Sequence, residues 1–303
     1  MARSAPNPIG PAAGGWHCRS ADLAGILSFH QLFGAASRRY NIKMVDACFI
    51  PHPMESGRWV ELRYSRPVAP PPWPAIVLVH GHQWPWTPGA RDLVDSGRFG
   101  PWVSRELLTV AVSQPGYGGS DGPPDYCGPR SQEAVRAVLR WAIDVGADPR
   151  RLALYGVSRG AITGAMAATA EPYPAALVLQ AGIYDMASEV AFLEATAKTP
   201  GMEGLRGILT NIEREAGLDE ASLLARSALQ NAGAIRSPTL LLHGARDPQC
   251  PPDGAVALAD RISRNGVASR CIIVPDAEHR IPGEHSLPPV VQFLNEVGIL
   301  ASA

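Results

Sequence analysis

Short apolar runs alternate with amphipathic stretches over most of the chain. Apolar runs without polar interruption are typical of strands buried on both faces of a parallel sheet. Residues 130–145 instead place their apolar side chains on one helical face. Runs that predict strands lie at 75–80, 107–112, 151–157, 175–180, 239–243 and 270–274. Strands separated by helices predict an α/β fold with a mostly parallel central sheet and helices on both faces.

The remaining segments complete the predicted organisation. Residues 1–40 form an N-terminal extension, with a proline- and glycine-rich lead over 1–20 and a short helix at 21–38. Residues 41–303 form the main domain, which opens with a hairpin of strands at 42–50 and 59–64. A stiff proline-rich connector follows at 66–74.

The alternation of strand and helix patterns breaks at Gly182. Residues from about 184 to 232 carry helical patterns, including 222–230, and no strand pattern. We predict a helical cap inserted into the main domain, after which the alternation resumes.

Composition limits which binding partners and which cellular compartment are expected for this protein. A net charge of −1 over 303 residues gives no electrostatic case for nucleic acid or an anionic membrane. No run of 18 apolar residues is present, so no membrane span is expected. The five cysteines are scattered without a C-x-x-C pair, which favours reduced thiols and a cytoplasmic protein. Residues 21–36 faintly resemble a signal peptide, but Asp22, His30 and Gln31 interrupt the run.

One segment carries the strongest chemical signal. Gly156-Val157-Ser158-Arg159-Gly160 lies between an apolar run and a helix pattern rich in small residues. This is the strand–turn–helix context of a G-x-S-x-G nucleophile elbow, in which the serine hydroxyl stands on a sharp turn. Glycines flank the serine because the strand and helix backbones nearly touch there. We predict Ser158 as a nucleophile.

A serine nucleophile needs an adjacent base, and that base needs an acid to orient it. On this fold the chain order is serine, acid, histidine. Asp247 follows the strand at 239–243, and His279 follows the strand at 270–274. Both therefore lie at the edge of the sheet where Ser158 is expected. We predict a Ser158, His279 and Asp247 triad.

Three other side chains compete for these roles. His285 is a rival base, although it stands where the last helix is expected to open. Asp253 is a rival acid, but it follows two prolines at a helix start, where aspartate commonly caps. His243 lies at a strand end and is interpreted as a structural, hydrogen-bonded histidine.

A tetrahedral intermediate also requires backbone N–H donors for its oxyanion. The N–H after the nucleophile belongs to Arg159, and the second donor should come from the loop after the strand at 75–80. His82 is the expected donor, with Gly81 allowing close approach. The Arg159 side chain either contacts substrate or pairs with an acid elsewhere.

The same loops supply candidates for substrate contact. Gln83, Trp84, Trp86 and Tyr117 are predicted to line a largely apolar pocket, and Tyr126 lies in a loop at the same edge. The pair His80-x-His82 suggests a metal site only superficially, because no further carboxylate or histidine ligand follows at matching spacing. No metal or cofactor is expected.

Taken together, these motifs resemble the α/β-hydrolase fold superfamily, and within it the catalytic domain of the prolyl oligopeptidase family. The resemblance rests on residues 148–161, on 238–247 (PTLLLHGARD), on the Glu278-His279 loop and on the glycine-rich stretch at 115–122. It covers about residues 75–298 and implies a covalent acyl-enzyme. The family's peptidases usually carry an N-terminal β-propeller, and the roughly 74 residues before the core are too few for one. The loop HGHQ also stands where the family often shows HGGP.

These observations predict a serine hydrolase that acts on a small-molecule or short-peptide substrate. Cleavage of a carboxylic ester, thioester or small amide is the first hypothesis, and a peptidase or amidase acting on short peptides is the alternative. A catalytically inactive, ligand-binding hydrolase fold is a third hypothesis, and acyl transfer or C–C cleavage would use the same triad.

Overall fold

A computed structural model describes residues 19–20, 45–200 and 203–300. Within these residues nine strands form one sheet in the order β1-β2-β3-β5-β4-β6-β7-β8-β9. The strands are β1 Arg19–Ser20, β2 Asp46–Pro51, β3 Trp59–Ser65, β4 Trp73–Val79, β5 Leu108–Val112, β6 Ala147–Val157, β7 Ala176–Gln180, β8 Thr239–Gly244 and β9 Ser269–Val274. The predicted helix at 21–38 lies outside the described residues.

The sheet is antiparallel at one end and parallel through its centre. Strands β1, β2 and β3 pair antiparallel, and β3 pairs antiparallel with β5. From β5 through β4, β6, β7 and β8 to β9, every pairing is parallel. The carboxyl ends of these six strands therefore share one edge, where ligands bind in open α/β sheets. The predicted α/β-hydrolase architecture, with a mostly parallel sheet, is confirmed.

Helices cover both faces of the sheet. The helices are α1 Ala90–Asp95, α2 Gly100–Val103, α3 Pro129–Asp144, α4 Arg159–Ala167, α5 Met186–Thr196, α6 Glu203–Glu215, α7 Glu220–Leu224, α8 Asp253–Arg264 and α9 Gly283–Glu296. Buried side chains of α3, α4 and α8 pack in one hydrophobic cluster with alternate strand residues. Those of α1, α2 and α9 pack in a second cluster with the other strand residues. This division follows from the two-residue period of strands, which sends successive side chains to opposite faces.

The segment between β7 and β8 contains α5, α6 and α7 and a short 3-10 turn at Ala232–Ala234. We call the segment from α5 to α7 the helical insertion. It has its own hydrophobic cluster, which includes Met186, Leu193 and Ile212. The same cluster contains Ile162 of α4 and Cys250 of the β8 loop. The insertion is therefore packed directly against the edge where the strands end.

Several local expectations differ from the structure. Where an uninterrupted helical stretch to about residue 106 is predicted from the sequence after Gly89, the structure has two short helices, α1 and α2, with Gly97 between them at φ 79°. The helix expected at 222–230 is the shorter α7, and the last helix begins earlier, at Gly283. Among the described helices, none combines the length and apolarity needed to cross a bilayer.

Among the described residues, the expectation of reduced cysteines is wrong at Cys48. Cys48 is disulfide-bonded, whereas Cys127, Cys250 and Cys271 are free thiols. Cys48 lies on β2 at the antiparallel end of the sheet, and no sequence motif marks it as a bridge.

Candidate active site

Ser158 stands on the turn between β6 and α4, with φ 55° and ψ −122°. These angles match the second residue of a type II′ turn, a position dominated by glycine. The turn is tight because a Cβ at Gly156 would lie 2.1 Å from the Gly160 carbonyl oxygen. A Cβ at Gly160 would lie 2.2 Å from the Val79 carbonyl oxygen on neighbouring β4. Both glycines are therefore required for the turn that presents Ser158.

The structure brings together the three side chains that the sequence singled out. Ser158 Oγ lies 2.9 Å from His279 Nε2. His279 Nδ1 lies 2.8 Å from Asp247 Oδ2. With the Nδ1 proton held by the carboxylate, Nε2 is free to accept the serine proton. The arrangement can therefore generate a serine nucleophile.

The Asp247 carboxylate is fixed from several sides. Its Oδ1 accepts hydrogen bonds from the backbone N–H groups of Gln249 at 2.9 Å and Cys250 at 3.0 Å. His243 Nε2 lies 3.2 Å from Oδ2 and 2.9 Å from the Cys250 carbonyl oxygen. Burial alone raises the pKa of Asp247, but the hydrogen bonds from His243 and His279 outweigh it and hold that pKa well below its usual range. His243 therefore supports the carboxylate, while His279 faces the serine.

A close backbone approach joins the loops that carry the acid and the base. A Cβ at Gly244, the last residue of β8, would lie 2.3 Å from the Glu278 carbonyl oxygen. The loop after β8 and the loop after β9 can therefore touch only because residue 244 is glycine. The rivals stand elsewhere: Asp253 and His285 are both exposed in the first turns of α8 and α9.

The predicted oxyanion donors flank the serine. A Cβ at Gly81 would lie 3.1 Å from Ser158 Cβ, so the backbone around residues 81–82 passes beside the nucleophile. Arg159 is the first residue of α4, and its N–H has no acceptor within the helix. In the described part of the chain, the His82 N–H makes no backbone hydrogen bond. Both donors are thus available next to Ser158.

His80 fixes the start of this loop. Its Nδ1 lies 2.8 Å from the Gly81 carbonyl oxygen, and its Nε2 accepts the Gln114 N–H at 3.1 Å. Both ring nitrogens are engaged within the protein. Burial, the largest cause, lowers the pKa of His80 to about 4. A neutral histidine therefore anchors the loop to the end of β5.

The residues predicted to line the pocket have different environments. Gln83 is buried, and its amide binds the N–H and carbonyl of Gly89, at 2.7 and 3.0 Å. Trp84 and Trp86 are 81% and 82% exposed. Tyr117 is buried, and its hydroxyl lies 2.7 Å from Arg159 Nη1 and 3.2 Å from His82 Nδ1. None of the four is among the residues that line the cavity at Ser158 in the described structure.

That cavity has a volume of about 70 Å³ and opens beside the serine. Its walls combine strand-end loops, α4 and the helical insertion. The lining residues are His82, Tyr126, Ser158, Arg159, Ile162, Ala181, Ile183, Ile208, Asn211, Gln249, Cys250 and His279. Ile208 and Asn211 come from α6, so the insertion forms one wall of the site. Of the aromatic residues expected at this edge, Tyr126 is the one that reaches the cavity.

Sequence reasoning missed the buried acids around the site. Glu61 accepts hydrogen bonds from Ser113 Oγ and the Gly119 N–H, both at 2.8 Å, and so fixes the glycine-rich loop that carries Tyr117. Glu215 of α6 forms an ion pair with the Arg159 guanidinium. The alternating apolar pattern of the strand at 59–64 places Glu61 on the face opposite Val60 and Leu62, so that pattern does not mark Glu61 as a buried acid. No local pattern marks Glu215.

Glu189 of α5 is a third buried acid, and its Oε1 has no hydrogen-bond partner among the described residues. Burial, together with the nearby charge of Asp247, raises the pKa of Glu189 to about 8. The insertion therefore contains a carboxyl group that is protonated near neutral pH.

Comparison with known proteins agrees with this geometry. The sequence profile of the prolyl oligopeptidase family matches residues 130–296, more than half of the chain. An uncharacterized peptidase of Bacillus subtilis, YuxL, is 31% identical over 70 residues, which span 23% of this chain and 11% of the relative. The chain therefore matches a small part of that relative's length.

Solved structures show the same fold. Acetyl xylan esterase 1 from Thermoanaerobacterium superposes with a TM-score of 0.66 at 15% identity, covering 93% of this chain and 87% of the esterase. A puromycin-hydrolyzing peptidase of Mycobacterium tuberculosis superposes with a TM-score of 0.66 at 23% identity, covering 86% of this chain and 40% of the peptidase.

The fold and the site define the α/β-hydrolase class, with a serine, a histidine and an aspartate in hydrogen-bond contact where the strands end. Within that class, the chain belongs to the prolyl oligopeptidase family.

Proposed function

We propose that this serine hydrolase cleaves carboxylic esters with a short acyl group, using Ser158 as nucleophile, His279 as base and Asp247 as the acid that orients it. The observation that carries the proposal is the unbroken chain of contacts from Ser158 Oγ through His279 to Asp247, at 2.9 and 2.8 Å. These distances lie within the range at which a base can take a proton from a nucleophile.

The reaction proceeds in two halves. Ser158 Oγ attacks the ester carbonyl carbon while its proton passes to His279 Nε2, and the carbonyl oxygen becomes an oxyanion held by the N–H groups of His82 and Arg159. The bond to the alcohol breaks, and His279 returns the proton to the leaving oxygen. Water then attacks the acyl-enzyme and gives a proton to His279, the bond between Ser158 Oγ and the acyl carbon breaks, and His279 returns the proton to Ser158 Oγ as the carboxylic acid is released.

Cavity size supports a short acyl group. An engineered cavity of about 150 Å³ in another protein holds benzene, whereas the cavity at Ser158 measures about 70 Å³. The smaller volume suits an acyl chain of about two to four carbons. Ile162, Ile183 and Ile208 make the wall around that group apolar. A larger leaving group would extend through the open mouth towards solvent.

Peptidase or amidase activity on short peptides is the second candidate, and family membership favours it. The lining amides of Asn211 and Gln249 could bind a peptide backbone. The same acyl-enzyme could pass its acyl group to an acceptor other than water. An inactive ligand-binding fold is disfavoured, because serine, base and acid stand within hydrogen-bond distance of one another.

The proposal is tested by kcat/KM for p-nitrophenyl acetate, butyrate and octanoate, and for an aminoacyl p-nitroanilide, with Ser158→Ala as the matched control. We expect the acetate or butyrate ester to be preferred over octanoate by at least about tenfold, with activity lost in the control. An anilide preferred by orders of magnitude over every ester would contradict ester cleavage. Preference for octanoate would contradict the short acyl group.

A further inference from the structure

His82 and Arg159, the two residues proposed to donate backbone N–H groups to the oxyanion, are also joined by a hydrogen bond between their side chains. Arg159 Nη1 lies 3.0 Å from His82 Nδ1. Because guanidinium can only donate, His82 Nδ1 must accept, and the ring proton resides on Nε2. The loop after β4 and the start of α4 are thus joined by a side-chain contact as well as by the sheet.

The Arg159 guanidinium is held on every side. Nη1 also donates to the Tyr117 hydroxyl at 2.7 Å, and the Tyr126 ring centroid lies 4.0 Å from Cζ. Nη2 donates to Glu215 Oε2 at the end of α6. The side chains of Arg159 and Glu215 are 8% and 4% exposed. A buried cation requires such a partner, because an uncompensated charge at this depth is strongly unfavourable.

Glu215 therefore fixes the position of Arg159. Its other oxygen, Oε1, pairs at 3.0 Å with Arg214, which is mostly exposed. Of its two partners, only Arg159 reaches the nucleophile turn. The contact is also the polar link between the helical insertion and the residue that follows Ser158.

We propose that Glu215 is a positioning residue that sets the oxyanion hole from the helical insertion, acting through the side chains of Arg159 and His82. The inference rests on the proposed esterase function. When Glu215 is removed, Arg159 loses its carboxylate partner, so its guanidinium is held less firmly against His82 and the loop carrying the His82 N–H is less firmly fixed to α4. Loss of one oxyanion donor lowers kcat by about 100- to 1000-fold, so a displaced donor should lower it by about 10- to 100-fold.

The test compares Glu215→Ala with Glu213→Ala, an exposed acid on the same helix. For p-nitrophenyl acetate, we expect kcat to fall about 10- to 100-fold in Glu215→Ala while KM changes less than about threefold. The affinity of a trifluoromethyl ketone, which binds Ser158 as a tetrahedral adduct, should fall by a similar factor, because such analogues report transition-state binding. Glu213→Ala should match the wild type in all three quantities.

Glu215→Ala leaves a buried cation unpaired, so a second variant guards against unfolding. The double variant Arg159→Met with Glu215→Ala removes the charge and the His82 contact together, and removing both partners of a buried pair is often near neutral for stability. We expect it to melt near the wild type and to keep the lowered kcat. Wild-type kcat in a folded double variant would overturn the inference, as would a change confined to KM in Glu215→Ala. Absence of Ser158-dependent turnover in the wild type would instead overturn the proposed function.

Discussion

The backbone of Ser158 offers a test of the nucleophile turn that does not depend on substrate. A residue with a Cβ at φ 55° and ψ −122° is strained, at a typical cost of about 1–3 kcal/mol. Glycine adopts these angles freely. Replacing Ser158 by glycine should therefore release the strain, whereas alanine should retain it, and both variants lack the hydroxyl.

The expected difference follows from two opposing terms. Glycine gains the strain energy but loses about 0.5–1 kcal/mol through the greater freedom of the unfolded chain. The Ser158→Gly variant should thus be more stable than the Ser158→Ala variant by about 1 kcal/mol, within a range of about 0–2.5 kcal/mol. For a chain of this size, a difference of about 1 kcal/mol corresponds to a melting temperature higher by roughly 2 °C.

Thermal or urea unfolding of purified Ser158→Gly and Ser158→Ala measures this difference directly. Ser104 provides a matched control, since it is exposed, with ordinary helical angles of φ −65° and ψ −15°. There the glycine variant should be the less stable of the pair by about 0.5–1 kcal/mol. If glycine were less stable than alanine at position 158 by as much as at position 104, residue 158 would not be strained, and the elbow geometry would be refuted.

Three further predictions concern buried ionisable groups. Because the folded-state pKa of Glu189 is raised to about 8, the contribution of this carboxyl group to stability is full below its unfolded pKa and is lost as pH rises. Glu189→Gln should therefore raise the free energy of unfolding, measured by urea titration, more at pH 9 than at pH 5. The difference should reach up to a few kcal/mol, at about 1.4 kcal/mol per pH unit. The pKa of His80 is lowered to about 4, so stability should fall by roughly 3 kcal/mol as pH drops from 6.5 towards 4. A His80→Gln variant should lack that component and show a shallower acid limb in urea unfolding. Asp247→Asn removes the carboxylate that lies 2.8 Å from His279 Nδ1 and holds its proton. We therefore expect kcat for the acetate ester to fall by about 10³–10⁴-fold, as for the equivalent change in another serine hydrolase. A fall of less than tenfold would exclude Asp247 as the acid that orients His279.

The parts of the site that could be predicted from sequence depend on strand order. Ser158, Asp247 and His279 each follow an apolar run, and parallel strands place such loops at one edge. The same reasoning placed His82 beside the serine. Local sequence patterns were sufficient to predict these positions, because the parallel sheet brings the loops after its strands to the same edge even when they are far apart in sequence.

Which other residues line the cavity could not be predicted, because that depends on tertiary packing that no local sequence pattern encodes. Aromatic composition could not tell that Trp84 and Trp86 point outward while Tyr126 lines the cavity. Gln83 resembled a substrate contact, yet the backbone of Gly89 occupies its amide. The wall formed by Ile208 depends on how the insertion packs across the strand ends, where residues far apart in sequence meet.

The most direct test of the proposed nucleophile is labelling with a fluorophosphonate, which reacts only with an activated serine. The purified protein and its Ser158→Ala variant would be incubated with the probe, digested, and mapped by mass spectrometry. We expect one adduct, on Ser158, that is absent from the variant. An unlabelled but folded wild-type protein, or an adduct on another serine, would contradict it.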